Sequence, residues 1–331
     1  MRAMSPGSTW ECGSFILGCG TFGGIGGSPR LIGRGLDEAS AFATMDEAIA
    51  MGITLFDTAG SYAAGASETM IGRWLMERGP SRSDGIRIST KVGPPRGNEG
   101  DQRFDAAFLD RKFAGSLHRL GVTSVELLLT HAPDDNTPVE YTLEGLEAIR
   151  ANGRCRFVGA CNVDAEQLTA ALDAAERLGI DHYRVVQNGY CLLEPENDLA
   201  VRSICSERGI AYTPFSPLAG GVLTGKYHRD MPAPADSRMA LRPDGTDELL
   251  TPAVHDAIDR LKSDAELRRG TSCGALALAW LLNHPGVTSI VAGPSNRPPH
   301  LQLAAQARNI SMTKSDFDEI ASWFVSATAR K

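Results

Sequence analysis

Two hydrophobic periods alternate along this chain, and that alternation restricts its fold more than any other feature. Short β-branched or aliphatic runs recur at 53–56, 86–89, 125–129, 157–160, 184–186, 210–213 and 289–292. Each reads as a buried strand. Between them lie stretches of helical spacing, such as Leu109, Phe113, Leu117, Leu120 and Val139, Leu143, Leu146, Ile149, whose apolar side chains fall on one face. Gly52, Gly79, Gly121, Gly153, Gly179 and Gly209 follow the helical patterns, where a left-handed residue without a Cβ closes a helix. The next strand comes soon after each.

Parallel strands joined by crossover helices repeat every ~30 residues. Seven such strands and an N-terminal segment nearly fill 331 residues. The expected architecture is an α/β (β/α)8 TIM barrel, one domain over residues 1–331, with a long loop after strand seven at 228–252 and a C-terminal helix. A doubly wound sheet is the competitor, because Gly18-Cys19-Gly20-Thr21-Phe22-Gly23 spells G-x-G-x-x-G, with Asp37 about 20 residues on. A dinucleotide fingerprint must open a helix at its third glycine, whereas Gly23 runs into Gly24-Ile25-Gly26-Gly27-Ser28-Pro29. That sequence cannot be helical.

Composition narrows the function. With 33 basic and 40 acidic residues the net charge is −7, which argues against nucleic acid as the main partner. At 42% hydrophobic and 22% charged, disorder is excluded as the dominant state. The longest apolar run, 275–282, falls far short of the roughly 20 residues of a membrane span. No membrane partner is expected. Residues 1–10 lack the apolar core of a secretory signal, so a cytoplasmic location is expected. The seven scattered cysteines contain no C-x-x-C pair and the histidines show no ligand spacing, so neither a disulfide framework nor a metal site is expected.

In a parallel barrel the carboxyl ends of the strands share one face, so residues ending successive strands converge. Those ends carry Asp57 with nearby Tyr62, then Lys91, His131, Cys161-Asn162, Gln187 and Phe215-Ser216. An acid, a phenol, an amine and an imidazole at one mouth suit proton transfer. A phenol titrates near ~10 when unperturbed. The Lys91 ammonium is expected to lower that value, Asp57 to hold Lys91 charged, and His131 to hydrogen-bond a carbonyl oxygen. The set suits protonation of a developing alkoxide.

The residues Phe56-Asp57-Thr58-Ala59 with Tyr62, Ser89-Thr90-Lys91-Val92-Gly93, Leu128-Leu129-Thr130-His131, and the run from Ser216 to Tyr227 follow one another in the order of a known family. The chain resembles the aldo-keto reductase superfamily from about Gly18 to about Phe317. The resemblance implies that Tyr62 is the general acid, that Lys91 and Asp57 tune it, and that His131 orients the substrate carbonyl. Hydride would come from C4 of a nicotinamide. It further implies that Asn162 and Gln187 hold the carboxamide and that Phe215 stacks on the nicotinamide. Ser216, Leu218, Gly220 and Lys226 would wrap the pyrophosphate, and Gly20 and Thr21 would line the cofactor. Gly293, Ser295 and Arg297 match the adenosine end, which favours NADP(H) while leaving NAD(H) open.

Three positions depart from the family pattern. Cys161 stands where many members have serine, and it is the one cysteine placed to couple oxidation to activity. Only Gln302 or Gln306 is available where relatives clasp the adenine. Ala132 replaces the tryptophan of some members, implying a wider pocket. The implied activity is NADPH-dependent reduction of an aldehyde or ketone. The same residues would serve alcohol or sugar oxidation with NAD(P)+, and a nucleotide-sensing regulatory subunit resembling the potassium-channel β subunits is a further reading. Substrate choice falls to the loops at 22–34, 132–137 and from 228 onward.

Overall fold

Eight strands run parallel in the spatial order β7-β6-β5-β4-β3-β2-β1-β8. They are β1 Phe15–Gly18, β2 Leu55–Asp57, β3 Arg87–Val92, β4 Val125–Thr130, β5 Cys155–Cys161, β6 Val185–Gln187, β7 Ala211–Tyr212 and β8 Ile290–Ala292. The computed structural model describes residues 10, 12–79, 85–94, 103–235, 237–241, 249–293 and 299–328. The sheet closes on itself through two backbone bonds, Thr288 N to Tyr212 O and Val291 N to Pro214 O, both 2.9 Å. Pro214 has no N–H to give, and this junction uses only its carbonyl. All seven expected strands are present, with ends displaced by three residues or fewer.

Helices fill the crossovers, and their ends are set by side chains. Asp105 caps Ala106–Leu120 by accepting from Phe108 N, and Asp164 with Gln167 forms a reciprocal cap on Ala165–Leu178. Asp37 does the same for Glu38–Ala50, accepting from Ser40 N at 2.8 Å. It is a helix cap and not a ribose-binding acid. The segment after Gly23 is an excursion with a single 3-10 turn, Pro29–Leu31, in which Phe22 bridges Leu36 and Gly24 bridges Ile32, so the glycine-rich motif opens no α-helix. The long segment after β7 holds a 3-10 turn, Ala219–Thr224, and a short helix, Arg238–Leu241. Helix Pro252–Ser263 follows, and Lys314–Thr328 is the C-terminal helix. Among the described residues no helix is long and apolar enough to cross a membrane.

Side chains alternate across a strand, so every second residue enters the barrel. Its lower interior is apolar: Leu127, Leu129, Phe157, Val185 and Ala211 form one cluster and Ile16, Leu55 and Val291 another, with Trp10 packed against both. The Trp10 ring meets Phe157 edge-on at 5.5 Å. Space here is tight. A Cβ on Gly159 would stand 2.2 Å from Val185 O.

Candidate active site

One level above this apolar layer, the same alternation turns Asp57, Lys91, Cys161 and Gln187 inward at the carboxyl ends of β2, β3, β5 and β6, and His131 directly follows β4. Lys91 is buried and its ammonium donates to Asp57 Oδ2 at 2.5 Å, Thr58 O at 3.0 Å and Tyr62 OH at 3.2 Å. Asp57 also accepts from Ser89 Oγ at 3.0 Å and from Gln187 Nε2 at 3.1 Å. An ammonium has three protons and no acceptor. The Tyr62 oxygen therefore accepts from Lys91, and its own proton points away from the ammonium. The His131 ring stands edge-on to Tyr62, centroids 5.5 Å apart, and its Nδ1 lies 3.1 Å from Ser61 Oγ.

Burial sets the electrostatics. It is the largest influence on Tyr62 and pushes the phenol up to about 12, against the opposing pull of Lys91. The expected lowering of the Tyr62 pKa is thereby overturned, because loss of solvent outweighs the neighbouring cation. Burial alone would lower the Lys91 pKa, but Asp57, Tyr62 and Cys161 outweigh it and raise it. Burial and then Lys91 hold His131 well below its ordinary 6.5, with a Gly93 backbone hydrogen bond opposing. The imidazole is neutral at neutral pH. Burial also pushes the Cys161 thiol up to about 12, so at neutral pH it is a thiol and not the reactive thiolate that oxidative control requires.

Tyr62 opens a tight turn, Tyr62–Gly65, in which Ala63, Ala64 and Gly65 take φ of 48°, 55° and 93°. Left-handed alanine costs roughly 1–2 kcal/mol per residue, so the turn needs external support. Ala63 N donates to Gly26 O at 3.0 Å from above. From below, the buried Glu68 carboxylate accepts from Thr90 Oγ1 at 2.6 Å and from Arg119 Nε at 2.7 Å. Arg119 runs so close beneath the turn that a Cβ on Gly65 would stand 2.7 Å from its Cδ. Ser61, Glu68 and Arg119 were not among the sequence candidates. Only the acidic Glu68 inside an otherwise apolar helix face hinted at this arrangement.

The remaining candidates surround the mouth. Asn162, at φ 59°, donates from Nδ2 to His131 O at 2.8 Å and to Cys161 Sγ at 3.2 Å. Asn188 fixes this corner by accepting from Val163 N and donating to Val163 O. Phe215 is tied by its N–H to Asn188 O at 3.0 Å. Beyond it Ser216, Ala219, Gly220 and Gly221 all have positive φ, with Leu218 between them. Ala219 N and Gly221 N close this segment on Ser216 O and Leu218 O at 2.9 and 2.8 Å, which makes it a compact loop next to Phe215.

Two cations approach that segment. A Cβ on Gly221 would stand 2.6 Å from Lys226 Nζ, and one on Gly220 would stand 3.2 Å from Arg238 Cγ. Arg238 is a further residue that sequence reasoning missed. Gly20 lies against the Tyr62 ring, and Thr21 O accepts from Leu36 N. Gly293 follows β8 beside Gly18. Ser295 and Arg297 lie outside the described residues. Gln302 is exposed on helix Pro299–Arg308, and Gln306 accepts from Ser272 Oγ at 3.1 Å. The polar groups at the strand ends and the glycine-containing loop with its two cations fit a nicotinamide dinucleotide.

Comparison with known proteins identifies the family and agrees with the fold. The model of the aldo/keto reductase family matches residues 16–323. A probable voltage-gated potassium channel subunit beta from Arabidopsis thaliana is 34% identical over 247 residues, covering 73% of this chain and 74% of the relative. An L-glyceraldehyde 3-phosphate reductase from Escherichia coli (strain K12) is 32% identical over 279 residues, covering 81% and 78%. An NADH-specific methylglyoxal reductase from the same organism is 28% identical, covering 91% of each chain. A glycerol dehydrogenase from Gluconobacter oxydans shares the fold with a TM-score of 0.79 at 23% identity, covering 98% of this chain and 95% of that one. The chain therefore belongs to the aldo/keto reductase family and is an oxidoreductase that works with a nicotinamide cofactor.

Proposed function

We propose that this protein reduces an aldehyde or ketone to an alcohol, with NADPH as reductant and Tyr62 as proton donor. The observation that carries the reading is the saturated ammonium of Lys91. Its three bonds leave the Tyr62 oxygen an acceptor on one side and a proton donor on the other. The dihydronicotinamide, when bound, supplies hydride from its C4. Asn162, Gln187 and Phe215 would hold its ring, Ser216, Leu218, Gly220 and Lys226 its pyrophosphate, Gly20 and Thr21 its flank, and Gly293, Ser295, Arg297 and Gln302 its adenosine end.

As negative charge develops on the carbonyl oxygen, Tyr62 passes its proton to that oxygen. Lys91, kept cationic by Asp57, stabilises the phenolate left behind. Neutral His131 offers a ring N–H to the same oxygen. The phenol pushed up to about 12 keeps the acid form present at neutral pH, as proton donation requires. The NADPH preference rests on the hydroxyl and guanidinium of Ser295 and Arg297, chemistry suited to a 2′-phosphate.

Initial rates with NADPH and NADH over a panel of small carbonyl compounds test the proposal. Turnover of a carbonyl with a lower KM for NADPH is expected, and Arg297→Ala should raise that KM alone. Binding of NADPH with no turnover across the panel would favour a regulatory role of the kind named for the Arabidopsis relative.

A further inference from the structure

Ser61 occupies the position before the tight turn Tyr62–Gly65, where a serine hydroxyl ordinarily accepts from a backbone N–H of the turn it precedes. Here it makes no such bond. Its Oγ is instead directed to Nδ1 of His131, 70 positions away, at 3.1 Å. A side chain that forgoes its local partner for a distant ring nitrogen constrains that ring.

A neutral imidazole has one N–H and one lone pair, and a hydrogen bond at one nitrogen decides which is which. If Nδ1 carried the hydrogen, Nε2 would present a lone pair to a carbonyl oxygen, and the contact would be repulsive. If Ser61 donates to Nδ1, the hydrogen resides on Nε2 and the contact is attractive. We propose that Ser61 is a positioning residue: its hydroxyl donates to Nδ1 and so makes His131 a donor, through Nε2, to the substrate carbonyl. This rests on the reading of His131 as the carbonyl's partner.

The Gly93 backbone also hydrogen-bonds the ring, so Ser61 and Gly93 together bear on which nitrogen carries the hydrogen, and nitrogen spectra decide it. Lys91 on β3 and the Tyr62 ring face the imidazole, with the Asp57 carboxylate behind Lys91, and the cation disfavours a second proton on the ring. Ser61 and Tyr62 are consecutive, so one turn supplies the proton donor and selects the donor form of the histidine. The Glu68–Arg119 pair beneath that turn fixes both at once.

The test reads tautomer and turnover separately. In protein labelled with 15N-histidine, long-range proton–nitrogen correlation should show the His131 hydrogen on Nε2. In Ser61→Ala the unprotonated-nitrogen signal should move or a second tautomer should grow in. Turnover at saturating substrate should fall roughly ten-fold, the worth of one hydrogen bond, with nucleotide affinity unchanged. Ser61→Thr, which keeps the hydroxyl, should restore both readouts. A hydrogen on Nδ1 in the unsubstituted protein overturns the proposal, and so does a Ser61→Ala variant with altered tautomer but unchanged turnover. Should the unsubstituted protein reduce no carbonyl, the functional reading fails by itself, and the nitrogen spectra still decide the tautomer.

Discussion

Gln187 and Asp57 lie 130 positions apart in the chain, yet Gln187 Nε2 donates to Asp57 Oδ1 at 3.1 Å across the barrel mouth. With Ser89 on the same oxygen and Lys91 on the other, a buried carboxylate is enclosed by three donors from two strands, β3 and β6. The charge pair is thus built into the closed sheet, and it ties the candidate acid machinery to a candidate cofactor residue.

Removing one member of that pair should be costly. Lys91→Met leaves Asp57 buried without its cation, and breaking a buried pair in this way costs about 3–5 kcal/mol. Denaturant unfolding should give an unfolding free energy lower by that amount. The double variant Lys91→Met, Asp57→Asn should recover part of the loss, because no uncompensated charge remains. Equal destabilisation in the single and double variants would count against the coupling.

Tyr62→Phe removes one oxygen, which accepts from Lys91 at 3.2 Å. The ring contacts with His131 and Gly20 remain, so folding and nucleotide affinity should change little. General acid catalysis contributes about 10²–10⁴-fold, and carbonyl reduction should fall by that range. Steady-state rates together with a fluorescence titration of NADPH check both halves. Retention of most activity would move the acid elsewhere.

What the sequence made legible is what depends on parity and order. Period-two alternation places Asp57, Lys91 and Gln187 on the inner face whatever the surrounding packing, and glycine at helix ends marks each return to the sheet. The missed residues depend on distances between elements. Glu68 meets Arg119 only because two helices pack at a separation no single segment encodes. The Tyr62 pKa shows the same limit, since burial and ammonium oppose each other and depth decides the sign. The literal G-x-G-x-x-G misleads because a motif carries no geometry until the next residues are helical, and here Asp37 is occupied as a cap.

The pH dependence follows from two buried groups. Tyr62 keeps its proton beyond the usual 10.0, up to about 12, so reductive kcat should show no loss from phenol ionisation between pH 6 and 10. Oxidation of the alcohol requires the phenolate and should rise with pH over the same interval. For stability, a raised phenol pKa favours the folded state below the unfolded value near 10.0 and loses that contribution as pH climbs toward 12. His131 has the opposite sign. Its folded pKa lies well below 6.5, so its contribution is present above 6.5 and is lost as acid protonates the unfolded chain first. Profiles of kcat in both directions, with thermal midpoints from pH 4 to 11, check each sign.

The segment after Phe215 offers a test of nucleotide binding that leaves the proton donor alone. Gly221 holds φ 96°, and a Cβ there would stand 2.6 Å from Lys226 Nζ. Gly221→Ala therefore strains the backbone and displaces the ammonium, since the far end of a flexible side chain is what must move. Left-handed strain of this kind costs about 1–3 kcal/mol, so the Kd for NADPH should weaken by about ten-fold or more. Turnover at saturating nucleotide should stay near that of the parent, because Tyr62, Lys91 and Asp57 are untouched. Gly209→Ala is the control: its φ of 65° brings similar strain, but nothing lies within 4 Å of the added Cβ, and it closes a helix outside the nucleotide segment. Gly209→Ala should lower stability without changing the Kd. Equal affinity loss in both variants would trace the effect to general destabilisation and remove Lys226 from the pyrophosphate site.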